Sequence, residues 1–335
     1  MIDTIRLIRP APLPPSSALI ERGFRPLRGR MSSNSKSATW VWNAVRENGV
    51  FPRLTWSSTL WGDWITAETS MPKMLYGNNV QLVDDADVHR GLDVISQFVY
   101  EEAGTLFDAH TALVSRVDYC GNFLVGEENV IAYLVAAAGA SPPRLTRYQI
   151  GDTTVTFKNK SQVIRLYDKH CEVANLVRDG TAGNDELLAA LGILRLEVSH
   201  LHSGACKRLA KRLALPDRRA SHLLVGSVAF EELARNLAAL GLDRLMEPVD
   251  MRLDILRETY GDNPHCRRLA GFLGFLDRYS ENFWRQCIGG YSRSLYYSHA
   301  RDLKKAGVWL KTEHQLPPLY LIRTVQGVRA GNGSL

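Results

Sequence analysis

Apolar residues alternate with polar ones through the first part of the chain and recur at three- and four-residue intervals later on. Alternation with β-branched content predicts strands at Met1–Ile8, Ala112–Leu124, Thr153–Lys158, Gln162–Lys169 and Gly192–His202. Two more are expected within Trp40–Thr66, around the hairpin signal Glu47-Asn48-Gly49. Helical spacing predicts helices over Asp85–Gly104, Glu127 to about Ala138, the stretch after Lys169 to about Val177, and a start at Asp185. Further helices are expected at Cys206–Leu215, Val228–Leu240, Val249–Tyr260, Cys266–Glu281 and Tyr291–Gly307. Arg9–Ala38, with five prolines and a Ser/Asn/Lys-rich patch, reads as a long loop or poorly ordered insertion, and Ser70–Asn79 as a loop. Strands first and helices after give an α+β class. A break at Pro216–His222 divides a domain over 1–215 from a mostly helical C-terminal domain over 222–335.

Three of the strands carry charge on one face only. Side chains on a strand alternate sides, so Arg116 and Asp118 share a face, as do Arg165, Tyr167 and Lys169, and as do Arg195 and Glu197. Their other faces are apolar. If the strands are neighbours, one surface collects two carboxylates, a tyrosine, a lysine and three arginines. Carboxylate oxygens hold Mg²⁺ or Mn²⁺, a tyrosine hydroxyl can attack a phosphodiester, and Lys and Arg offset the charge that develops. The plain alternative is a wet sheet face with cross-strand ion pairs.

Composition narrows the setting. The chain has 41 Lys+Arg against 35 Asp+Glu, a net +6 that suits a polyanionic partner without requiring one. Five scattered cysteines, with no Cys-x-x-Cys, argue against a disulfide framework or a zinc finger and fit a reducing cytoplasm. No apolar run reaches the ~18 residues a bilayer span needs, and the N-terminus lacks a signal-peptide core. A soluble protein with no membrane partner is expected.

The charged segments resemble the replication initiators of filamentous phages, the gene II protein class. The likeness runs in order through MIDTIRL at the start, PKMLYGNN at Pro72–Asn79, SRVDYCGNF at Ser115–Phe123, RLYDKHCEV at Arg165–Val173, LRLEVSHL at Leu194–Leu201 and YYSHARDLKKAGV at Tyr296–Val308. Its most specific element is Tyr167-x-Lys169-His170-x-Glu172. The resemblance implies an antiparallel sheet backed by helices and a metal-dependent enzyme of rolling-circle replication. Such an enzyme nicks one strand of the phage origin, leaves a 3′-hydroxyl for a host polymerase, keeps a covalent 5′-phosphotyrosine and later religates the circle. It aligns the nucleophile with Tyr167 and the metal-binding acids with Asp118 and Glu197. The family's lysine before its Gly-Asn turn falls at Lys73, taken as a DNA contact. The host helicase and polymerase become expected partners, and the bacterial cytoplasm the expected location.

Other features remain open at this level. Lys169 either serves the tyrosine and the phosphate or is a solvated lysine. Lys207, Arg208, Lys211 and Arg212 form a basic ridge at helical spacing, either a phosphate contact or a solvated face. His200-Leu201-His202 has the His-hydrophobe-His form of a nuclease metal site, but on the strand face opposite Glu197. Arg293, His299, Arg301, Lys304 and Lys305, with Tyr291, Tyr296 and Tyr297, could build a helix-turn-helix reader or a structural cap. The tryptophans at 40, 42, 56, 61 and 64 read as core and hairpin packing rather than a base-stacking platform. Two other functions stand beside nicking: a non-catalytic DNA-binding replication regulator, and a nuclease whose metal sits on His200 and His202.

Overall fold

The three strands singled out by their charge lie side by side near the centre of one antiparallel sheet. The computed structural model describes residues 1–27, 38–42, 52–149, 153–243, 252–279, 293–308, 319–324 and 327–332. The sheet comprises β1 (Ile2–Pro10), β2 (Arg25–Pro26), β3 (Ala38–Trp42), β4 (Arg53–Thr59), β5 (Gly62–Ser70), β6 (Leu113–Leu124), β7 (Thr146–Gln149), β8 (Thr154–Lys158), β9 (Gln162–Asp168) and β10 (Ile193–His200). Their order is β2-β3-β4-β5-β1-β6-β10-β9-β8-β7. The helices among the described residues are α1 (Ser16–Glu21), α2 (Met71–Tyr76), α3 (Asp85–Ala103), α4 (Glu127–Ala138), α5 (Lys169–Arg178), α6 (Asn184–Ala189), α7 (Ser203–Arg212), α8 (Ala220–Leu223), α9 (Gly226–Ala239), α10 (Arg252–Tyr260), α11 (Pro264–Tyr279) and α12 (Arg293–Ala306). The α+β class holds.

One sheet face is apolar and covered by helices. Residues opposite one another in the register share a face, so Leu196 of β10 stands with Leu166 of β9 and Val155 of β8. Helix α3 starts on a capping box between Asp84 and Asp87 and stops at Gly104, whose φ of 65° is left-handed. Between these signals Val88, Leu92, Ile95, Phe98 and Val99 form its buried stripe, with Phe98 edge-on to Trp42 at 5.3 Å. Each such side chain contributes roughly 1.5–3 kcal/mol on burial. Helices α4, α7 and α9 cover the remainder, and Tyr119 donates its hydroxyl hydrogen to the carbonyl of Leu223 across this layer at 2.9 Å.

Several expectations change. Strand β1 runs on to Pro10, and Arg9–Ala38 is not structureless, since it contains α1 and the two-residue β2. Among the described residues of 38–70 there are three strands rather than two, because a second reversal occurs at Leu60-Trp61, where Gly62 takes φ 118°. The turn expected at Glu47-Asn48-Gly49 lies outside the described residues. The loop expected over Ser70–Asn79 contains α2, with Pro72 in its first turn, where a missing N–H costs nothing. Lys169 is not a strand residue: Asp168 caps α5 by accepting from the Cys171 N–H, and Lys169 opens that helix. Strand β7 and a hairpin of β11 (Leu319–Thr324) and β12 (Gly327–Asn332) carry too little alternation to be read from sequence.

The apolar core does not divide at Pro216–His222. Ala220, Leu223, Val228, Leu233 and Leu242 belong to the sheet's buried cluster, and so does Leu319. Helices α10 to α12 have a cluster of their own, centred on Leu256, Leu269, Phe272 and Leu303. No helix among the described residues is long and apolar enough to cross a membrane.

Candidate active site

The second sheet face carries a ladder of charge across five neighbouring strands. Arg6 of β1 holds Glu68 of β5 with Nε at 3.0 Å and Nη2 at 2.8 Å. Arg116 of β6 reaches Glu68 at 3.2 Å on one side and Asp118 on the other, donating from Nη2 at 2.6 Å and from Nε at 3.2 Å. Arg165 of β9 donates to Glu197 of β10 at 3.0 Å. The hydroxyl of Ser199, opposite Asp118 in the register, donates to Glu197 at 3.4 Å and also bonds Asp118. The fold thus gathers Arg116, Asp118, Arg165, Tyr167, Arg195 and Glu197 on one face.

Both expected metal ligands are buried, Asp118 at 2% exposure and Glu197 at 8%. Burial raises the pKa of each carboxyl above its ordinary range, against the pull of Arg116 and Arg165 respectively. A third carboxylate joins them. Asp3 is 8% exposed, accepts from the Ser70 hydroxyl at 2.8 Å and adds its negative charge to both. Strict alternation along Ile2–Leu7 puts Asp3 on the apolar side with Ile5. The pairing of β1 with β6 slips by one residue between Ile2 and Ile5, and this bulge turns Asp3 toward Asp118. Nothing in the alternation signals it, although the MIDTIRL segment contained it.

Three buried carboxylates with hard oxygen donors fit a hard divalent cation such as Mg²⁺ or Mn²⁺. They do not lie within 4.8 Å of one another as a set, and each is paired with an arginine: Asp118 with Arg116, Glu197 with Arg165, and Asp3 with Arg195 at 3.9 Å. Asp168, His170 and Cys171 form the one such grouping among the described residues. Asp168 there is already the cap of α5 and accepts from the Cys171 thiol at 3.1 Å. It also pairs with Leu194, away from the face of Tyr167.

Tyr167 stands opposite Arg195 of β10 and Thr154 of β8. It is 6% exposed, and its hydroxyl makes no hydrogen bond among the described residues. Burial pushes that hydroxyl well above its ordinary pKa, while the positive charge of Arg195 pulls the other way.

Arg195 and Lys169 are locked rather than free to meet DNA. Arg195 donates from Nε to Asn122 at 2.7 Å and from Nη2 to the Val80 carbonyl at 3.1 Å. Lys169 donates to Asn79 at 2.9 Å and to Glu172, and its Nζ lies 6.0 Å from the Tyr167 ring centre. Both are essentially inaccessible to solvent. They tie the 77–83 segment, which follows Gly77 (φ 77°), down over the end of β6 and β10. Asn79 and Asn122 are therefore part of the site's support, and only the Gly-Asn-Asn turn motif hinted at the first.

The remaining expected residues lie elsewhere. Lys73 sits half-buried on α2, beyond the Ser70 end of β5. Lys207, Arg208, Lys211 and Arg212 are on α7, whose Cys206, Leu209 and Ala210 pack on the apolar side of the sheet. The ridge is therefore across the sheet from Tyr167. Arg208 is bonded to Ser161 at 2.6 Å and Arg212 to the buried Glu232. His200 points into the helical layer, edge-on to Tyr119, with Nε2 3.3 Å from Glu232 but without hydrogen-bond geometry. His202 caps α7 by accepting from the Ala205 N–H at 3.3 Å. The two histidines share no site. In α12, Tyr296 and His299 are buried core residues, so they read no DNA; Tyr291 lies outside the described residues.

Residues 57–207 match the family model for the N-terminal part of the phage replication-associated gene II protein. No curated protein matches the chain. The matched stretch contains Lys73, Asp118, Tyr167 and Glu197, and stops short of Asp3 and of the C-terminal helices.

Proposed function

Through residues 57–207 the chain belongs to the filamentous-phage gene II-type replication initiators, with a role in rolling-circle replication, and on that footing we propose that it nicks one origin strand with Tyr167 as nucleophile. The observation that carries this reading is the company Tyr167 keeps. Its unbonded hydroxyl shares a sheet face with two buried carboxylates, Asp118 and Glu197, and with the half-exposed cations Arg116 and Arg165. A sheet tyrosine kept only for packing has no need of that arrangement.

In the proposed reaction the Tyr167 oxygen attacks the scissile phosphorus. The bond from phosphorus to the 3′-oxygen breaks, the phenol proton passes to the departing oxygen, and the products are a 5′-phosphotyrosine and a free 3′-hydroxyl. Attack by a 3′-hydroxyl on the same linkage reverses the exchange, returns the proton to the phenol and closes the circle. Asp118 and Glu197, with Asp3 beside them, would hold Mg²⁺ or Mn²⁺, which supplies Lewis-acid polarisation of the phosphate. Arg116 and Arg165 can exchange their carboxylates for phosphate oxygens, as a guanidinium fork favours. Arg195 and Lys169 act as positioning residues: they hold the 77–83 segment and the start of α5, and so fix where β9 delivers Tyr167.

Supercoiled DNA bearing the phage origin, incubated with the protein and Mg²⁺ or Mn²⁺, should yield a nicked circle. Retention of the DNA with no metal-dependent nick would favour the regulator instead. A nuclease built on the histidines would lose cleavage in His202→Asn, a change that keeps the helix cap. With Tyr167 as the nucleophile, that variant should nick normally.

A further inference from the structure

The β4–β5 hairpin ends in two adjacent, fully presented apolar residues, Leu60 at 84% exposure and Trp61 at 89%. The neighbouring tryptophans behave differently: Trp56 and Trp42 are buried, and Trp40 and Trp64 are half-buried. Trp61 is therefore not part of the packing that the tryptophan-rich sequence suggests. Nor is it on a loose loop. The Thr59 hydroxyl accepts from the Trp61 N–H at 3.1 Å and donates to the Gly62 carbonyl at 3.0 Å. The chain after β1 bonds β5 as far as Asp63, whose carbonyl accepts from the Ala11 N–H at 3.1 Å and whose carboxylate accepts from the Leu13 N–H at 3.0 Å, and the tip lies beyond these contacts.

The tip is continuous with the charged face. Arg53 stands opposite Glu68, Glu68 opposite Arg6, and Arg6 opposite Arg116. Toward the tip, that side continues through Thr55 with Thr66 and Ser57 with Trp64, and Arg25 joins it through Val41. Arg25 and Arg53 are exposed and have no carboxylate partner among the described residues. At about 3.3 Å per residue, Trp61 lies roughly 23 Å along β5 from Glu68, about seven nucleotide steps at ~3.4 Å each.

We propose that Trp61, backed by Leu60, is a base-stacking wedge that takes an unpaired base of the DNA strand lying along this face. The proposal rests on the DNA-nicking reading above. A narrow, convex apolar tip at one end of a face that carries the exposed arginines Arg25 and Arg53, roughly 17 to 23 Å back along the strands, matches a polyanion with flat apolar faces, and every base offers such a face. By the register Tyr167 lies beyond Glu68 on the side away from the tip, roughly 20 Å further along the strands, so the wedge would grip the strand well away from the bond to be cut.

The test is binding without metal, so that it does not depend on nicking. Fluorescence anisotropy would measure a labelled oligothymidylate and a fully paired duplex, each of about 30 nucleotides and so several site sizes long, against wild type, Trp61→Ala, Trp61→Phe and Tyr167→Phe. Trp61→Ala should bind the single strand roughly ten-fold or more weakly, with Trp61→Phe between it and wild type. The paired duplex should change little, and Tyr167→Phe should bind as wild type does. Trp61 is exposed, so its loss leaves the fold intact, and matching circular dichroism melts would verify this. Equal single-strand binding by Trp61→Ala would overturn the wedge while leaving nicking untouched. So would an equal loss on both DNAs, or a change from dimer to monomer in sedimentation, which would make the tip a contact between copies. A wild type that binds neither DNA would overturn the nicking reading along with it.

Discussion

Arg116 grips both carboxylate oxygens of Asp118, two residues away on the same strand and the same face, at 2.6 and 3.2 Å. A cation and a carboxylate bound this way block each other's other partners. Asp118 cannot give both oxygens to a metal, and Arg116 cannot offer its fork to a phosphate. Loading of metal and of DNA should therefore be coupled, since each ligand frees the residue the other needs. Arg116→Met should bind Mn²⁺ several-fold more tightly without DNA, measured by calorimetry. The same variant should bind DNA more weakly, with a salt slope smaller by about one. Unchanged Mn²⁺ affinity would show that the pair is only structural.

The carboxylates make a second prediction. A cation that binds only the folded chain stabilises it, by about 2.7 kcal/mol at a concentration one hundred times Kd. Wild type should gain thermal stability on adding Mn²⁺. Asp118→Asn and Glu197→Gln should gain almost none, and Asp3→Asn should gain less than wild type. Equal gains in all four would remove the metal from this face.

What the sequence made legible, and what it did not, follows from how local each signal is. Period-two alternation placed Arg116 with Asp118, and Arg195 with Glu197, because those strands are regular and long. It failed at Asp3, where a bulge formed by pairing with β6 reverses the face; pairing is a property of two strands and leaves no mark in one. It failed at Lys169 because the Asp168 cap ends the strand one residue early. The basic spacing on α7 was read correctly as a ridge, but only the packing of Leu209 and Cys206 on the far face tells which side of the sheet it occupies. Family likeness supplied the chemistry of Tyr167, and the geometry supplies its surroundings.

A buried carboxylate on the other face should control acid stability. Glu232 is fully buried. Burial alone would raise its pKa, but His200 and Arg212 hold it at about 2, below the ordinary 4.5. A depressed carboxyl contributes stability that is present above its unfolded pKa and lost as pH falls toward its folded one. The shift corresponds to on the order of 3 kcal/mol, lost between about pH 4.5 and 2. Denaturant titrations across that range should show the loss in wild type and a flatter profile in Glu232→Gln, which should also be less stable at neutral pH. Parallel profiles would refute the assignment.

Lys169 makes stability depend on pH in the same direction, but in an alkaline window. Burial, then the charge of Arg195, lower its pKa from 10.5 to about 8. Between those values the folded chain holds fewer protons than the unfolded one, so this group makes stability rise with pH across that window. Lys169→Met should remove the rise and also slow nicking, because the tie to Asn79 and Glu172 that positions the start of α5 is gone. A variant that nicks at the wild-type rate would mean that Lys169 has no part in presenting Tyr167.

Mapping the protein–DNA linkage identifies the nucleophile itself. Origin DNA incubated with the protein and Mg²⁺ or Mn²⁺, then denatured and digested, should give by mass spectrometry one peptide carrying a nucleotide, with the phosphate on Tyr167. Tyr167→Phe should give no adduct while still binding the DNA. An adduct that persists in Tyr167→Phe, or that maps to another residue, would contradict the account.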